Sequence, residues 1–269
     1  MTGARGLGGV RKPVTRRWPV ALLVLVLLTP LAFAHDASAP LSSLAFVTEE
    51  YPPYNYLDTR TGQLQGTAVD LLEAMFEQTD TPFTRQAILY YPWVRGYELV
   101  QSEPDTVLFS TTRTPNREAH FKWVGPIARD RVVLMAWQDD TAIPSSLDEA
   151  VRQRLSVAVI REDIGAHALQ EAGYPAELLR PAIDNRSALH MLRRGRVDLW
   201  AYSDKVARWI ATQEDVDSER LKAVHTLSES RLYFAIHPAT DTGLVDRLQQ
   251  ALDDVRAEQT VPEAARHDD

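Results

Sequence analysis

Apolar strands and helices alternate regularly between residues 155 and 212, and this alternation constrains the fold most strongly. Neighbouring parallel strands need a long crossover, which is usually a helix, so the pattern predicts a mainly parallel sheet with right-handed crossovers. The predicted elements are strands at 155–160 and 197–202 and helices at 165–172, 184–194 and 204–212. Gly195 follows the second helix, where a C-cap glycine is expected.

A similar alternation runs from residue 44 to residue 127, so the sequence predicts two α/β lobes. A chain of 269 residues is long enough to give each lobe its own core. The predicted elements here are strands at 44–48 and 83–89, helices beginning near Thr67 and Pro92, and, further along, strands at 131–137 and 232–236 and a helix at 243–255.

The N-terminus has the three parts of a secretory signal peptide. Five basic residues precede an apolar run that begins at residue 20, and Ala32 and Ala34 provide the small residues of a cleavage site. We therefore expect residues 1–34 to be removed and residues 35–43 to form a flexible tether. The alternative is a membrane anchor that is retained, although the apolar run is short for a span. The predicted location is the periplasm.

The charge of the chain excludes nucleic acid as a partner. The whole sequence carries a formal charge of −8, and without residues 1–34 it has 24 basic and 37 acidic residues, or −13. A surface this acidic repels a phosphate backbone. The chain has no cysteine, and its seven histidines are dispersed, so we expect no disulfide, metal site or cofactor.

Residues 108–127 contain the most informative local pattern. An apolar strand passes into small hydroxyl residues that include Ser110 and Thr112, and then Pro115 opens a short turn that carries Arg117. Backbone amides at a helix start attract anions, and an arginine can hold a carboxylate through two parallel hydrogen bonds. The alternative is a surface turn in which Thr114 caps a short helix.

Several motifs in order give the chain a family resemblance. These are YPPYNY at 51–56, GTAVDLLEA at 66–74, STTRTPNR at 110–117, FKWVGPI at 121–127, LSVAVIREDIG at 155–165 and GRVDLW at 195–200. Together they resemble the periplasmic solute-binding proteins of the polar amino-acid type, over most of residues 44–255. The resemblance implies two α/β lobes of the type II periplasmic-binding fold, joined by two crossing strands that close on a ligand.

The resemblance also implies boundaries. The crossings would lie near residues 126–131 and 228–232. The first lobe would comprise residues 44–127 and 232–258, and the second lobe residues 131–227. Residues 259–269 would form a C-terminal tail.

The resemblance assigns roles to five residues. Tyr51 matches an aromatic that stacks on the ligand and Trp93 a second aromatic wall. Ser110 and Thr112 match positions that meet the ends of the ligand, and Arg117 matches the arginine that holds a carboxylate. Three of them also have a structural alternative: Tyr51 could pack a loop, Trp93 could belong to the core, and Arg117 could form a surface ion pair.

Two departures from the family pattern affect the expected ligand. An acidic pair that includes Asp163 stands where a carboxylate-binding turn is usual, and Ser203 stands where the family has an amine-binding acid. A serine does not neutralise a buried ammonium. The ligand could therefore be a carboxylate without an amine, a cationic or peptide-like solute that meets Asp163, or a compound bound by Asp204.

The predicted function is capture of a small polar solute, amino-acid-like or a carboxylate, by a monomeric binding protein, for the inner-membrane permease of an ABC importer. One alternative is a periplasmic enzyme of the cyclohexadienyl dehydratase type, with Glu49, Glu50 or Glu73 as general acid. Another is an orphan binding or sensor protein that docks on a membrane partner. No hydrolase, zinc-peptidase or P-loop motif is found in the sequence.

Overall fold

The computed structural model describes residues 39–138 and 143–260, with side chains to residue 259. The expected signal peptide, residues 35–38 of the expected tether and most of the expected tail lie outside the described residues. Within the rest of the tether, Leu41–Ser43 form a 3₁₀ turn and the Leu41 side chain is buried in the core. The strands are β1 (Ala45–Thr48), β2 (Tyr56–Leu57), β3 (Leu64–Gln65), β4 (Leu89–Tyr90), β5 (Thr106–Thr112), β6 (Lys122–Trp137), β7 (Val157–Ile160), β8 (Leu179–Ala182), β9 (Leu199–Ser203) and β10 (Leu221–Ile236). The helices are α1 (Thr67–Gln78), α2 (Trp93–Ser102), α3 (Pro115–Glu118), α4 (Leu147–Arg152), α5 (Ile164–Glu171), α6 (Asn185–Arg193), α7 (Asp204–Gln213) and α8 (Thr242–Thr260).

Eight strands form one continuous mixed sheet in the order β4-β1-β5-β10-β6-β9-β7-β8, and β2 pairs with β3 apart from it. The pairs of β1 with β4 and β5, and of β7 with β8 and β9, are parallel as expected. Strands β6 and β10 run antiparallel to each other and to their outer neighbours.

The two central strands join two lobes. Strands β6 and β10 are each 16 residues long and pair along their whole length, from Leu221 opposite Trp137 to Ile236 opposite Lys122. The predicted crossing segments lie within this ladder, where Ser228 is opposite Val132 and Leu232 is opposite Ala128. The lobe boundaries given above remain a prediction. The region between the two lobes, lined by buried side chains of both, is called the cleft below.

The helix ends follow local sequence rules. Side chains of Ser146, Asp184 and Ser203 accept hydrogen bonds from backbone N–H groups in the first turns of α4, α6 and α7. Gly195, with a φ of 62°, follows the end of α6 in the left-handed region that favours glycine.

Three expected strands differ from the structure. Strand β6 begins at Lys122, nine residues before the expected strand at 131–137. Residues 83–89 contain a 3₁₀ turn (Arg85–Ala87), and only the two residues of β4 pair with the sheet. Strand β10 begins at Leu221, eleven residues before the expected strand at 232–236. The segment 83–88 has apolar residues, but Phe83 and Ile88 pack against the core instead of pairing in the sheet. The first half of β10 is poor in apolar residues, so its pairing depends on the neighbouring strand rather than on its own pattern.

Packing fixes the elements that carry the cleft. Helices α1 and α8 bury Leu72, Phe76, Leu248 and Leu252 against one another and the sheet. Helix α5 lies so close to β9 that a Cβ on Gly165 would stand 2.3 Å from the Ala201 carbonyl oxygen. This contact holds the N-terminus of α5, with Asp163 as its cap, against the end of β9.

Candidate functional site

Arg117 lies on the short helix α3, directly after β5. The Thr114 side chain caps this helix by accepting a hydrogen bond from the Arg117 N–H at 3.3 Å, as the simpler sequence interpretation expected. The cap does not place Arg117 on the surface, because only 1% of this residue is exposed. The helix therefore turns the guanidinium inward, between the two lobes.

The guanidinium of Arg117 connects the lobes. Its Nη1 donates to the Thr112 carbonyl at 3.2 Å, and its Nη2 donates to the Glu162 carbonyl at 2.6 Å across the cleft. Its Cζ lies over the rings of Trp93 and Tyr97, at 5.1 and 5.2 Å from their centroids. Charge-assisted hydrogen bonds and stacking on two aromatic faces are both favourable uses of a buried guanidinium.

A second connection forms at the floor of the cleft around Asp130 of β6. The Tyr51 hydroxyl donates to Asp130 Oδ2 and the Ser203 hydroxyl donates to Asp130 Oδ1, both at 2.7 Å. The Tyr51 ring also stacks on Tyr54 and meets Tyr202 edge-on, with the centroids 5.8 and 5.6 Å apart. One carboxylate on a crossing strand thus joins a residue of each lobe.

Two residues of the cleft have left-handed backbone conformations, which residues other than glycine rarely adopt. Ser110 has a φ of 60° within β5, and Glu162 has a φ of 58° just before α5. The Ser110 hydroxyl donates to Asn55 Oδ1, and the Glu162 carbonyl accepts from Arg117. Such conformations cost about 1–3 kcal/mol and concentrate at binding sites.

The cleft contains more buried acid than buried base. Among the described residues the buried charged side chains are Glu49, Asp130, Asp163 and Arg117. Burial raises the pKa of Asp163 to about 6, against the opposing effects of Arg117 and of the Ile164 N–H. Burial, followed by repulsion from Asp163 and Glu50, raises the pKa of Glu49 well above its usual value. One arginine does not compensate three carboxylates.

The rim of the cleft carries further contacts between the lobes. Arg186 of α6 reaches Glu50 at 2.6 Å and also pairs with Glu214. The rings of Tyr56 from the first lobe and Trp209 from the second lobe are also in contact, with their centroids 4.7 Å apart.

The structure brings most of the expected site residues into two linked groups. Trp93, Thr112 and Arg117 are in contact, and so are Tyr51 and Ser203 through Asp130. Asp163 acts electrostatically on both Arg117 and Tyr51, and Ser110 lies two residues before Thr112. The ligand contacts expected of these residues stay a prediction.

Sequence reasoning missed Asp130 and Tyr202. The order Arg129-Asp130-Arg131 in a predicted crossing strand alternates an acid with two bases, which is a signal for one inward carboxylate. Asp204, considered as an amine-binding acid, instead pairs with Arg131 at 2.5 Å and Arg208 at 2.9 Å.

The fold and the cleft define a class. Two α/β lobes joined by a pair of crossing strands, with buried polar and aromatic side chains between them, form a two-lobed binding protein of the periplasmic-binding type. Over residues 44–267 the chain matches the bacterial extracellular solute-binding proteins, family 3, and it belongs to that family. Its solute-binding role follows at this level.

Solved structures agree on the fold. A histidine kinase sensor domain with similarity to periplasmic binding proteins has a TM-score of 0.69 and 20% identity, covering 80% of this chain and 91% of its own. The arginine-bound form of a truncated ArgBP from T. maritima has 0.66 and 18%, covering 80% and 98%. The ancestral amino-acid-binding protein AncCDT-1, a precursor of cyclohexadienyl dehydratase, has 0.65 and 21%, covering 81% and 90%.

A comparison with curated proteins found no match. Within residues 39–138 and 143–260, no helix is both long and apolar enough to cross a membrane.

Proposed function

We propose that this protein binds a small polar solute with a cationic group in the cleft between its lobes. The observation that supports this most is the excess of buried acid: Glu49, Asp130 and Asp163 against Arg117. A buried carboxylate without a compensating charge is costly, and a bound cation supplies that charge. The aromatic rings of Tyr51 and Trp93 are suitable walls for a cationic or planar group.

The raised pKa values link binding to pH. The pKa of Asp163 is raised to about 6, and the pKa of Glu49 is raised as well. A cation binds the ionised carboxylates, so binding lowers both pKa values and releases protons where they titrate. The affinity for a cationic solute should therefore increase as the pH rises through about 6, where Asp163 ionises.

A carboxylate on the solute would need Arg117. Both terminal nitrogens of this guanidinium donate to backbone carbonyls, and only its Nε is without a partner among the described residues. Gripping a carboxylate would mean exchanging the bond to Glu162 for bonds to the solute. We therefore place the cationic group first in recognition and the carboxylate second, with Ser110, Thr112 and Ser203 as hydrogen-bonding partners.

The partner we propose is the permease of an ABC-type importer, with the protein acting as a monomer exported to the periplasm by residues 1–34. Closure on the solute would select the state that the permease recognises. Two similar structures are arginine-binding proteins with bound arginine, whose side chain carries the cationic group proposed here. A membrane-bound sensor is the alternative partner, and one similar structure is a kinase sensor domain.

A dehydratase is the second candidate, and one observation favours it. Glu49 is buried, and its raised pKa keeps its carboxyl protonated at higher pH than usual, as a general acid requires. One similar structure is a precursor of a cyclohexadienyl dehydratase. Conversion of arogenate or prephenate by the purified protein, lost in a Glu49→Gln variant, would establish this activity in place of transport.

A thermal-shift panel tests the binding proposal. Arginine, agmatine and citrulline form a matched set, because agmatine lacks the carboxylate and citrulline lacks the positive charge on the side chain. We expect stabilisation by arginine and agmatine at pH 7.5, since a bound ligand raises stability by RT ln(1 + [L]/Kd). Stabilisation by citrulline or glutamate alone would contradict the proposal and favour the carboxylate interpretation.

A further inference from the structure

A cavity of about 490 Å³ lies beside the two crossing strands. Four cationic side chains line it: Arg129 and Arg131 of β6, Arg231 of β10 and Lys205 of α7. The chain as a whole has more acidic than basic residues, 37 against 29, so this concentration of positive charge opposes the overall balance. The volume is in the range of small-molecule sites.

The register of the strands puts two of these charges directly opposite each other. Arg231 is the cross-strand partner of Arg129 in the antiparallel ladder. Like charges at opposed positions destabilise a strand pair. Among the described residues neither guanidinium has a carboxylate partner within 4 Å. An oxyanion held by both arginines would convert this repulsion into two charge-assisted interactions.

The three acidic residues at the cavity do not neutralise Arg129 or Arg231. Asp204 is paired with Arg131 and Arg208, and the two carboxylate oxygens of Asp130 accept hydrogen bonds from the cleft. Glu229, which is exposed, stands opposite Arg131 in the ladder. Two arginines and a lysine therefore remain available to an anion.

We propose that this cavity binds a small oxyanion with at least two negative charges, of the phosphate or polycarboxylate type, through Arg129, Arg231 and Lys205. The site differs from the cleft in the sign of its charge, and Asp130 stands between the two. Its ligand would bridge the two strands that join the lobes, β6 and β10, and helix α7 of the second lobe. Anion binding would then stiffen the connection between the lobes.

Titration calorimetry with inorganic phosphate, pyrophosphate and citrate, at constant ionic strength set with sodium chloride, tests this proposal. We expect saturable binding of at least one probe, and the arm that binds distinguishes phosphate from carboxylate ligands. Arg231→Gln and Arg129→Gln should each weaken binding at least tenfold. Arg196→Gln, which neutralises an exposed arginine away from the cavity, should leave it unchanged.

The stability of the same variants provides a second measurement. Because Arg231→Gln removes a like-charge contact, its midpoint of thermal unfolding without oxyanion should equal or exceed that of the wild type, whereas the stabilisation by the bound probe should be lost. The proposal is overturned if none of the three probes binds, if Arg231→Gln binds as tightly as the wild type, or if this variant unfolds at a lower temperature in the oxyanion-free buffer.

Discussion

Replacing Arg117 by alanine should destabilise the protein far more than replacing any exposed arginine. The change removes hydrogen bonds to the Thr112 and Glu162 carbonyls, each worth roughly 1.5–3 kcal/mol when charged. It also removes stacking on two aromatic rings, worth about 0.5–2 kcal/mol. These energies are net contributions to the free energy of unfolding, so they already account for hydration of the guanidinium in the unfolded state.

The carboxylates of the cleft increase the loss. Arg117 lowers the pKa of Glu49 and Asp163, so its removal leaves two buried acids without a nearby cation. Removing one partner of a buried charge group typically costs about 3–5 kcal/mol, and we expect a loss of that size at pH 7. Part of the loss should disappear at pH 5, where the acids become protonated.

Arg113→Ala is a matched control four residues away. Arg113 pairs with Glu118 in an exposed position and lies over the rings of Trp123 and Tyr233, so its removal should cost about 1 kcal/mol. Urea unfolding followed by tryptophan fluorescence measures both variants. Equal losses for the two arginines would refute the view that Arg117 ties the lobes together.

Three further outcomes follow from the geometry. The pKa of Asp163 is raised from 3.8 to about 6, so between pH 6 and pH 4 the folded state holds a proton that the unfolded state has released. Stability should therefore rise as the pH falls from 7 to 4. Asp163→Asn keeps the helix cap and should reduce that rise; an unchanged pH profile in urea unfolding contradicts the assignment. Gly165→Ala should cost more than about 2 kcal/mol through its clash with Ala201, whereas Gly173→Ala, with no atom within 4 Å, should cost only about 1 kcal/mol for its positive φ; equal thermal shifts would exclude the close packing. A cationic solute should bind more tightly at pH 7.5 than at pH 5, and calorimetry showing the reverse would oppose the acidic cleft.

The sequence predicted the lobes because their strands and helices carry their own patterns. Residues 155–160 are an apolar run that forms β7 after a small shift of its start. Asp184 and Gly195 mark the limits of α6 by local chemistry alone. These signals are local to the segment, so the sequence predicts such elements without information on what they pack against.

The first half of β10 could not be predicted in this way. Its residues between Lys222 and Ser230 are mostly polar and half-exposed or exposed, so neither face shows a hydrophobic period. They form a strand because the apolar residues 132–136 of β6 offer a complete ladder of partners. Pairing across the sheet is a tertiary effect that a single segment does not reveal.

The cleft shows the same division. Arg117 and Trp93 were identified from motifs, but their mutual stacking depends on how α2 and α3 meet. Asp130 was overlooked because its burial follows from the contact of Tyr51 and Ser203 with the crossing strand. Residue types indicated a polar ligand, and only the fold revealed that buried acids outnumber the buried base.

Calorimetric titration of agmatine into the wild type and into a Glu49→Gln, Asp163→Asn double variant tests the central claim most directly. Both substitutions keep the size of the side chain and remove its charge, and Arg152→Gln, at an exposed position, is the control. If the buried acids of the cleft recognise a cationic group, the wild type and the control bind agmatine with equal affinity and the double variant binds it at least a hundredfold more weakly. Wild-type binding that survives both substitutions, or citrulline binding in place of agmatine, would contradict the account.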